Sequence, residues 1–227
     1  VVHHLGEHTT RNMGFTARPK VKSSEPIPPV TSLNENNLVV VSGQTNAQAH
    51  AMYPFEAEET LGMGHLKLDL GANIYFTDET GGFVTNETGG FSSVNIPLEG
   101  RWSTVYTNGQ IPSVSLDLQE GYNILDVSDN VKEASAYRSV NLIHDHMREW
   151  LPNFTALDIS LTTNIDVEGE CNAFFDGGSI NFFDTGGGCN PTSLIADVVY
   201  HEYGHAINGY FYNTLGSGFN NGAMNEG

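Results

Sequence analysis

The stretch from Asp197 to His205, with the sequence DVVYHEYGH, constrains this chain more than any other stretch. It contains two histidines four residues apart, His201 and His205, with Glu202 beside the first. Residues four apart on a helix lie on one face, so both imidazoles can bind a single metal ion. The alternative is an ordinary helix that carries this short pattern by chance in a histidine-rich chain.

The sequence around these histidines predicts a helix from Thr192 to about Tyr212. Thr192 or Ser193 can supply an oxygen for the N-cap of this helix. Val198 shares the helical spacing of the two histidines, which predicts that they continue an apolar, buried stripe.

A candidate for the third ligand lies further along the chain, in the segment GAMNEG. Glu226 is this candidate, because two histidines and one glutamate leave the fourth position of a tetrahedral zinc site for water. The pattern HExxHxxGxxH, with all three ligands on one helix, does not fit. Asn208 and Phe211 occupy the positions of its glycine and its third histidine.

The combination of DVVYHEYGHAINGY and GAMNEG resembles the thermolysin-like and fungalysin-like zinc metallopeptidases, the gluzincins. A second stretch, NAFF at Asn172–Phe175, is similar to the edge strand along which these enzymes bind their substrate. The resemblance implies that the Asn172 side chain and the Ala173 carbonyl bind an extended peptide or protein substrate. It covers residues 130–227 and is faint before them.

The same resemblance implies a secreted, extracellular zinc endopeptidase that hydrolyses peptide bonds. His201, His205 and Glu226 would hold Zn²⁺, and Glu202 would act as the general base on a zinc-activated water. Two other classes of function remain open. One is a non-catalytic surface or adhesion module that keeps a gluzincin fold, and the other is a structural zinc protein, which needs no glutamate beside the first histidine.

The sequence departs from the family pattern after the helix. The tyrosine that stabilises the oxyanion would fall near Gly216 or Ser217, where no tyrosine is present. The family's later histidine and its helical C-terminal subdomain would lie beyond Gly227. We therefore expect an incomplete catalytic subdomain whose partner is the C-terminal remainder of the same protein.

Calcium is a second candidate ion, at Asp197. In thermolysin-like proteins an aspartate four residues before the first histidine is a calcium ligand, so the resemblance implies this role for Asp197. The alternative is a surface carboxylate that is stabilised by the N-terminus of its helix.

The composition is that of a globular chain, with 39% hydrophobic and 16% charged residues among 227. The formal net charge of −18 argues against nucleic acid as a partner. No run of about eighteen apolar residues predicts a membrane span. The chain begins at Val1 without a signal peptide, as a processed chain does, and a trimmed chain would begin in the same way.

The expected fold class is α+β, with a β-rich N-terminal region, then helices, and an edge-strand hairpin next to the zinc-binding helix. Residues 1–35 are predicted to be an irregular extension, and residues 36–227 a thermolysin-like catalytic subdomain. The runs GGFVTNET and GGFSSVN predict a hairpin meander. Residues 130–151 predict a helix with an Asn130–Glu133 capping box, and His144 on this helix is predicted to be a core or surface residue.

An Asp-Gly turn at Asp176 predicts a hairpin between Asn172–Phe175 and Ser179–Phe183. Cys171 and Cys189 lie just outside its two arms. A disulfide between them would contribute roughly 3 kcal/mol to stability on the chain-entropy model. The alternative is two free, buried cysteines.

Overall fold

The computed structural model describes residues 39–217, which form an α+β fold with two α-helices and twelve strands. The strands β1–β9 precede both helices, and β10–β12 lie between the two helices in the chain. The elements are β1 Val40–Ala49, β2 Glu59–Gly62, β3 Lys67–Asp69, β4 Ile74–Phe76, β5 Gly82–Thr88, β6 Phe91–Pro97, β7 Ser103–Thr107, β8 Ser113–Leu118, β9 Tyr122–Asp126, α1 Val131–Trp150, β10 Leu161–Val167, β11 Ala173–Phe175, β12 Ser179–Phe183 and α2 Ala196–Thr214.

The first sheet is built on the long strand β1, which pairs antiparallel with β2 and β5 and parallel with β9. The expected hairpin meander of GGFVTNET and GGFSSVN is wrong. These runs form β5 and β6, but β5 pairs with β1 whereas β6 pairs with β8. Gly89, at φ +119°, lies between them, and this conformation suits glycine and redirects the chain away from a hairpin.

The second sheet has the strand order β11-β12-β10-β7 and carries the elements next to α2. β10 pairs parallel with both β12 and β7, whereas β11 pairs antiparallel with β12 and occupies the edge. The predicted hairpin is therefore present. Strand β10 begins at Leu161, and the residues just before it form turns.

Helix α1 begins one residue after Asn130, whose side chain accepts a hydrogen bond from the Lys132 amide. The reciprocal half of the predicted capping box is missing. Glu133 instead accepts a hydrogen bond of 2.8 Å from the Thr107 hydroxyl of β7, and the Asn130 amide donates to the Ser128 hydroxyl. A tertiary partner has thus replaced the local one, which ties α1 to the second sheet.

Helix α2 begins at Ala196, later than the sequence predicted, after a short 3₁₀ turn at Thr192–Leu194. Its N-cap residue, Ile195, offers no side-chain hydrogen bond. The expected cap, Thr192, donates its hydroxyl to the carbonyl oxygens of Asn172 and Phe183 instead. The hydroxyl therefore joins the start of this segment to the β11–β12 hairpin.

One hydrophobic core draws on both large sheets and both helices, with side chains such as Met63, Leu98, Tyr137, Phe182 and Tyr203 fully buried in it. Neither of the two helices described has the length and apolarity of a membrane-crossing segment. The predicted extension at residues 1–35 and the predicted ligand Glu226 lie outside the described residues.

Candidate metal centre

His201 and His205 are the two histidines of the pattern His-Glu-x-x-His, or HExxH, and their imidazoles meet at one point beside α2. The Nε2 atoms of His201 and His205 are 2.9 Å apart. With the Glu202 carboxylate they form a group whose ligand atoms all lie within 4.8 Å of one another. Across residues 39–217 this is the one group of three or more histidine, cysteine or acidic side chains that could hold a metal ion.

The histidines lie on the outer face of α2, away from its fully buried face. Val199, Tyr203 and Ala206 form the inner face, which is at most 1% exposed, whereas His201 is exposed and His205 is half-buried. The expectation that the histidines continue a buried apolar stripe is therefore wrong for His201, whereas His205 is partly covered. At 3.6 residues per turn, Tyr203 lies about 200° around the helix from His201, so the two side chains point in nearly opposite directions.

Glu202 lies at the border between the two faces and is 4% exposed. Its carboxylate adjoins the two imidazoles, although it belongs to a nearly buried residue. Two imidazole nitrogens and a carboxylate form a donor set that is compatible with zinc and with other transition-metal ions. The residues present therefore fit a metal ion without identifying it, and the predicted third ligand, Glu226, stays a prediction.

The edge strand β11 has one side free of pairing within the described residues. The Asn172 carbonyl accepts a hydrogen bond from the Phe183 amide, and the Asp176 amide donates to the Ser179 carbonyl. Because bonding alternates along an antiparallel pair, the main-chain groups of Ala173 point away from β12, toward the free edge. Ala173 therefore presents its main-chain N–H and C=O at the free edge, and Asn172 precedes it with an exposed side chain. Their role in substrate binding stays a prediction.

A groove of about 590 Å³ lies between the β11–β12 hairpin and the C-terminal half of α2. Phe175 of β11 and Tyr210 of α2 line it as neighbours, with ring centroids 6.5 Å apart. Gly209 allows this close approach, since a Cβ atom there would lie 3.1 Å from the Phe175 ring. The groove lies along the same helix as the histidine pair.

The predicted disulfide between Cys171 and Cys189 is present, with its Cα atoms 5.3 Å apart. It joins Cys171, two residues before β11, to the loop after β12, so it closes the base of the hairpin. The alternative of two free cysteines is therefore wrong. A disulfide of this kind is compatible with an extracellular location.

Asp197 lies in the first turn of α2, where its carboxylate accepts a hydrogen bond of 2.5 Å from the Tyr53 hydroxyl. It belongs to none of the groups of three potential ligands within residues 39–217. Calcium takes six to eight oxygen ligands, so a calcium site at Asp197 would need further ligands besides this carboxylate. Calcium binding at Asp197 stays a prediction, and so does the alternative of a surface carboxylate at a helix N-terminus.

Sequence patterns did not reveal a polar contact behind the histidine pair. His144 of α1 is fully buried, and its Nδ1 lies 2.8 Å from the hydroxyl of Tyr203, inside the HExxH pattern. The next residue, Asp145, lies 2.8 Å from Nε2 of His65. The available signal was a histidine at a position of the apolar face of α1, where a polar group needs a partner.

A scan against protein-family models and a search of the curated proteins both found no match.

Proposed function

We propose that this chain is the metal-binding part of a secreted zinc endopeptidase of the gluzincin type. The observation that carries the proposal is the convergence of His201 and His205 at 2.9 Å beside the nearly buried Glu202. A pair of histidines that occurs by chance on a surface helix would not require a carboxylate beside the two imidazoles. The proposal gives each of these three groups a role.

His201 and His205 would hold the ion, with Glu226 as the proposed third ligand. When bound, zinc supplies Lewis acidity, which polarises a carbonyl group and brings the pKa of a water molecule toward neutrality. Glu202 accepts a proton from that water and transfers it to the leaving amine. Its position beside both imidazoles supports this role.

The substrate in this proposal is an extended peptide, which adds a strand to the free edge of β11. The main-chain N–H and C=O of Ala173 can pair with the peptide backbone whatever its side chains are. The groove that Phe175 and Tyr210 line can then accept one substrate side chain. Its partly apolar walls favour an apolar or aromatic side chain at that position.

A metal-binding experiment on the 227-residue chain tests the first half of the proposal. We expect one zinc ion per chain by elemental analysis after dialysis. The His201→Ala variant should lose the zinc ion, because one of its ligands is removed. The variant should still fold, since the His201 side chain is exposed and the core is untouched. His146→Ala is the matched control, since His146 is an exposed histidine of α1. Failure of the wild-type chain to bind zinc would overturn the proposal.

Hydrolysis of casein and of a peptide mixture by the full-length protein tests the second half. We expect cleavage that stops when a zinc chelator is added and returns when zinc is restored. Full-length protein that binds one zinc ion but cleaves neither substrate would overturn the peptidase function. That outcome would favour the non-catalytic binding module.

A further inference from the structure

His144 is a buried polar side chain on the inner face of α1, which also buries Ser139, Asn141 and Met147. It is 0% exposed, and its ring stacks on Trp102 at a centroid distance of 4.0 Å and an angle of 14°. Burial lowers the pKa of His144 to about 4, so the ring is neutral near pH 7. A buried neutral imidazole is costly unless its nitrogens have partners, which makes those partners informative.

One partner is Tyr203, which lies in the HExxH segment between Glu202 and His205. Tyr203 is 1% exposed, and its hydroxyl is 2.8 Å from Nδ1 of His144. A tyrosine hydroxyl is protonated near pH 7, so Tyr203 can donate to this nitrogen. The contact links α1 directly to the part of α2 that carries both histidines.

The other nitrogen of His144 faces Asp158, with Nε2 and Oδ1 3.5 Å apart, a contact that makes no hydrogen bond. A carboxylate beside Nε2 favours the tautomer with the proton on Nε2, which leaves Nδ1 to accept from Tyr203. Arg148 of α1 lies 3.6 Å from the same carboxylate oxygen and donates to the Phe154 carbonyl, which holds the Asp158 loop. Asp158 thus acts on the His144 ring as a nearby charge, whereas Tyr203 makes a hydrogen bond with it.

We propose that His144, oriented by Asp158, is a positioning residue of the metal centre and acts through Tyr203. The inference rests on the metal centre of the proposed function. Rotation of α2 by about 10° would move an atom about 6 Å from the helix axis by about 1 Å. Zinc ligands tolerate distance errors of about 0.2 Å, so the orientation of α2 must be held. The hydrogen bond of the Tyr203 hydroxyl fixes this orientation at a position two residues from His201 and two residues from His205.

The zinc affinity of the Tyr203→Phe variant provides the main test. Removal of this hydroxyl should raise the Kd for zinc about 10-fold, the lower range for loss of a group that supports metal ligands. Tyr137→Phe is the matched control. Tyr137 is equally buried, but its hydroxyl donates at 3.0 Å to the carbonyl of Gly64, which lies outside α2. This control should lose stability without a change in zinc Kd.

Two substitutions of His144 separate its hydrogen bond from its packing. His144→Asn keeps an acceptor near the position of Nδ1 and should retain most of the zinc affinity. His144→Phe keeps a ring against Trp102 but removes the acceptor, and it should match Tyr203→Phe. The double variant His144→Phe/Tyr203→Phe should be no weaker than either single variant, since both remove the same contact.

Asp158→Asn provides a second measurement if the His144 variants fail to fold, because Asp158 is partly exposed. It should raise the zinc Kd in the same direction. An unchanged Kd in folded Tyr203→Phe, or an equal loss in Tyr137→Phe, would overturn the inference while zinc binding by the wild-type chain upheld the metal centre. Absence of zinc binding by the wild-type chain would overturn the proposed function and this inference together.

Discussion

The two faces of helix α2 differ in what they contribute. The outer face carries His201, which is exposed, and His205, which is half-buried, next to the β11–β12 hairpin. The inner face buries Val199, Tyr203 and Ala206 against α1 and the core. Side chains of the outer face can therefore be changed at little cost in stability, whereas those of the inner face determine how the outer face is presented. The candidate metal ligands and the buried side chains that support them thus lie about half a turn apart on one helix.

The largest expected effect is on the outer side, at the boundary residue Glu202. Glu202→Gln should lower the rate of peptide hydrolysis by a factor of roughly 10²–10⁴, because the amide cannot accept a proton from water. The zinc content should stay at the wild-type level. Single-turnover hydrolysis and elemental analysis on the same preparation measure both. A variant that keeps a tenth or more of the wild-type rate would exclude Glu202 as the base.

The next effect concerns the hairpin beside the outer face. Replacing Cys171 and Cys189 by serine opens a loop whose ends are 18 residues apart, which should lower the free energy of unfolding by about 3 kcal/mol. Urea denaturation of the oxidised wild type and the double variant measures this difference. We expect the zinc Kd to change little, because the histidine pair is held from the inner face. A larger loss of zinc affinity in the double variant than in Tyr203→Phe would show that the hairpin, and not the inner face of α2, holds the histidine pair.

His144, the α1 residue that contacts Tyr203 on the inner face of α2, should make the stability of the protein depend on pH. Its folded-state pKa, about 4, lies below the unfolded value of about 6.5, so the unfolded chain binds the proton first. Stability should therefore fall as the pH is lowered from 6.5 to 4, by at most about 3 kcal/mol from this residue.

Denaturation curves of wild type and His144→Phe at several pH values isolate this contribution, because other groups titrate in both proteins. Asp158, Asp145, His65 and Arg148 are the charged groups around the ring, and their mutual effects are common to both curves. The exposed His146 serves as the control in His146→Ala. Parallel curves for wild type and His144→Phe would contradict the expected shift.

The smallest effect is expected at two glycines of α2. Alanine in a helix interior is favoured over glycine by about 1 kcal/mol, and a Cβ atom added at Gly204 would meet no described atom within 4 Å beyond its own helix. At Gly209 the added Cβ would lie 3.1 Å from the Phe175 ring, so Gly209→Ala should gain less. Thermal unfolding of both variants gives the difference. Equal gains would show that the wall of the groove yields freely.

Much of the fold followed from local patterns. The hairpin around Asp176, the apolar spacing of α1 and the helix at the HExxH pattern all depend on residues close in sequence. The strands β2, β8 and β9 were not predicted, and the meander was assigned wrongly. β9 pairs in parallel with β1 across a long stretch of chain, and such partners leave no mark in local periodicity.

The caps show the same limit in a smaller case. Thr192 and Glu133 have the residue types of helix caps, and local chemistry favours that use. In the folded chain the Thr192 hydroxyl bonds to the hairpin and the Glu133 carboxylate accepts from β7. A side chain that can satisfy either a local or a distant partner takes the one that the packing brings within reach.

The sequence by itself determined the chemical groups of the candidate site. Spacing of four residues on a helix was sufficient to predict that His201 and His205 share one point, because helix geometry is local. It was also sufficient to pair Cys171 with Cys189 across a short hairpin. Only the tertiary structure decided which face of α2 is buried, because that depends on where α1 and the sheet lie. The contact of His144 with Tyr203 joins residues 59 apart in sequence, and only the folded core brings them together.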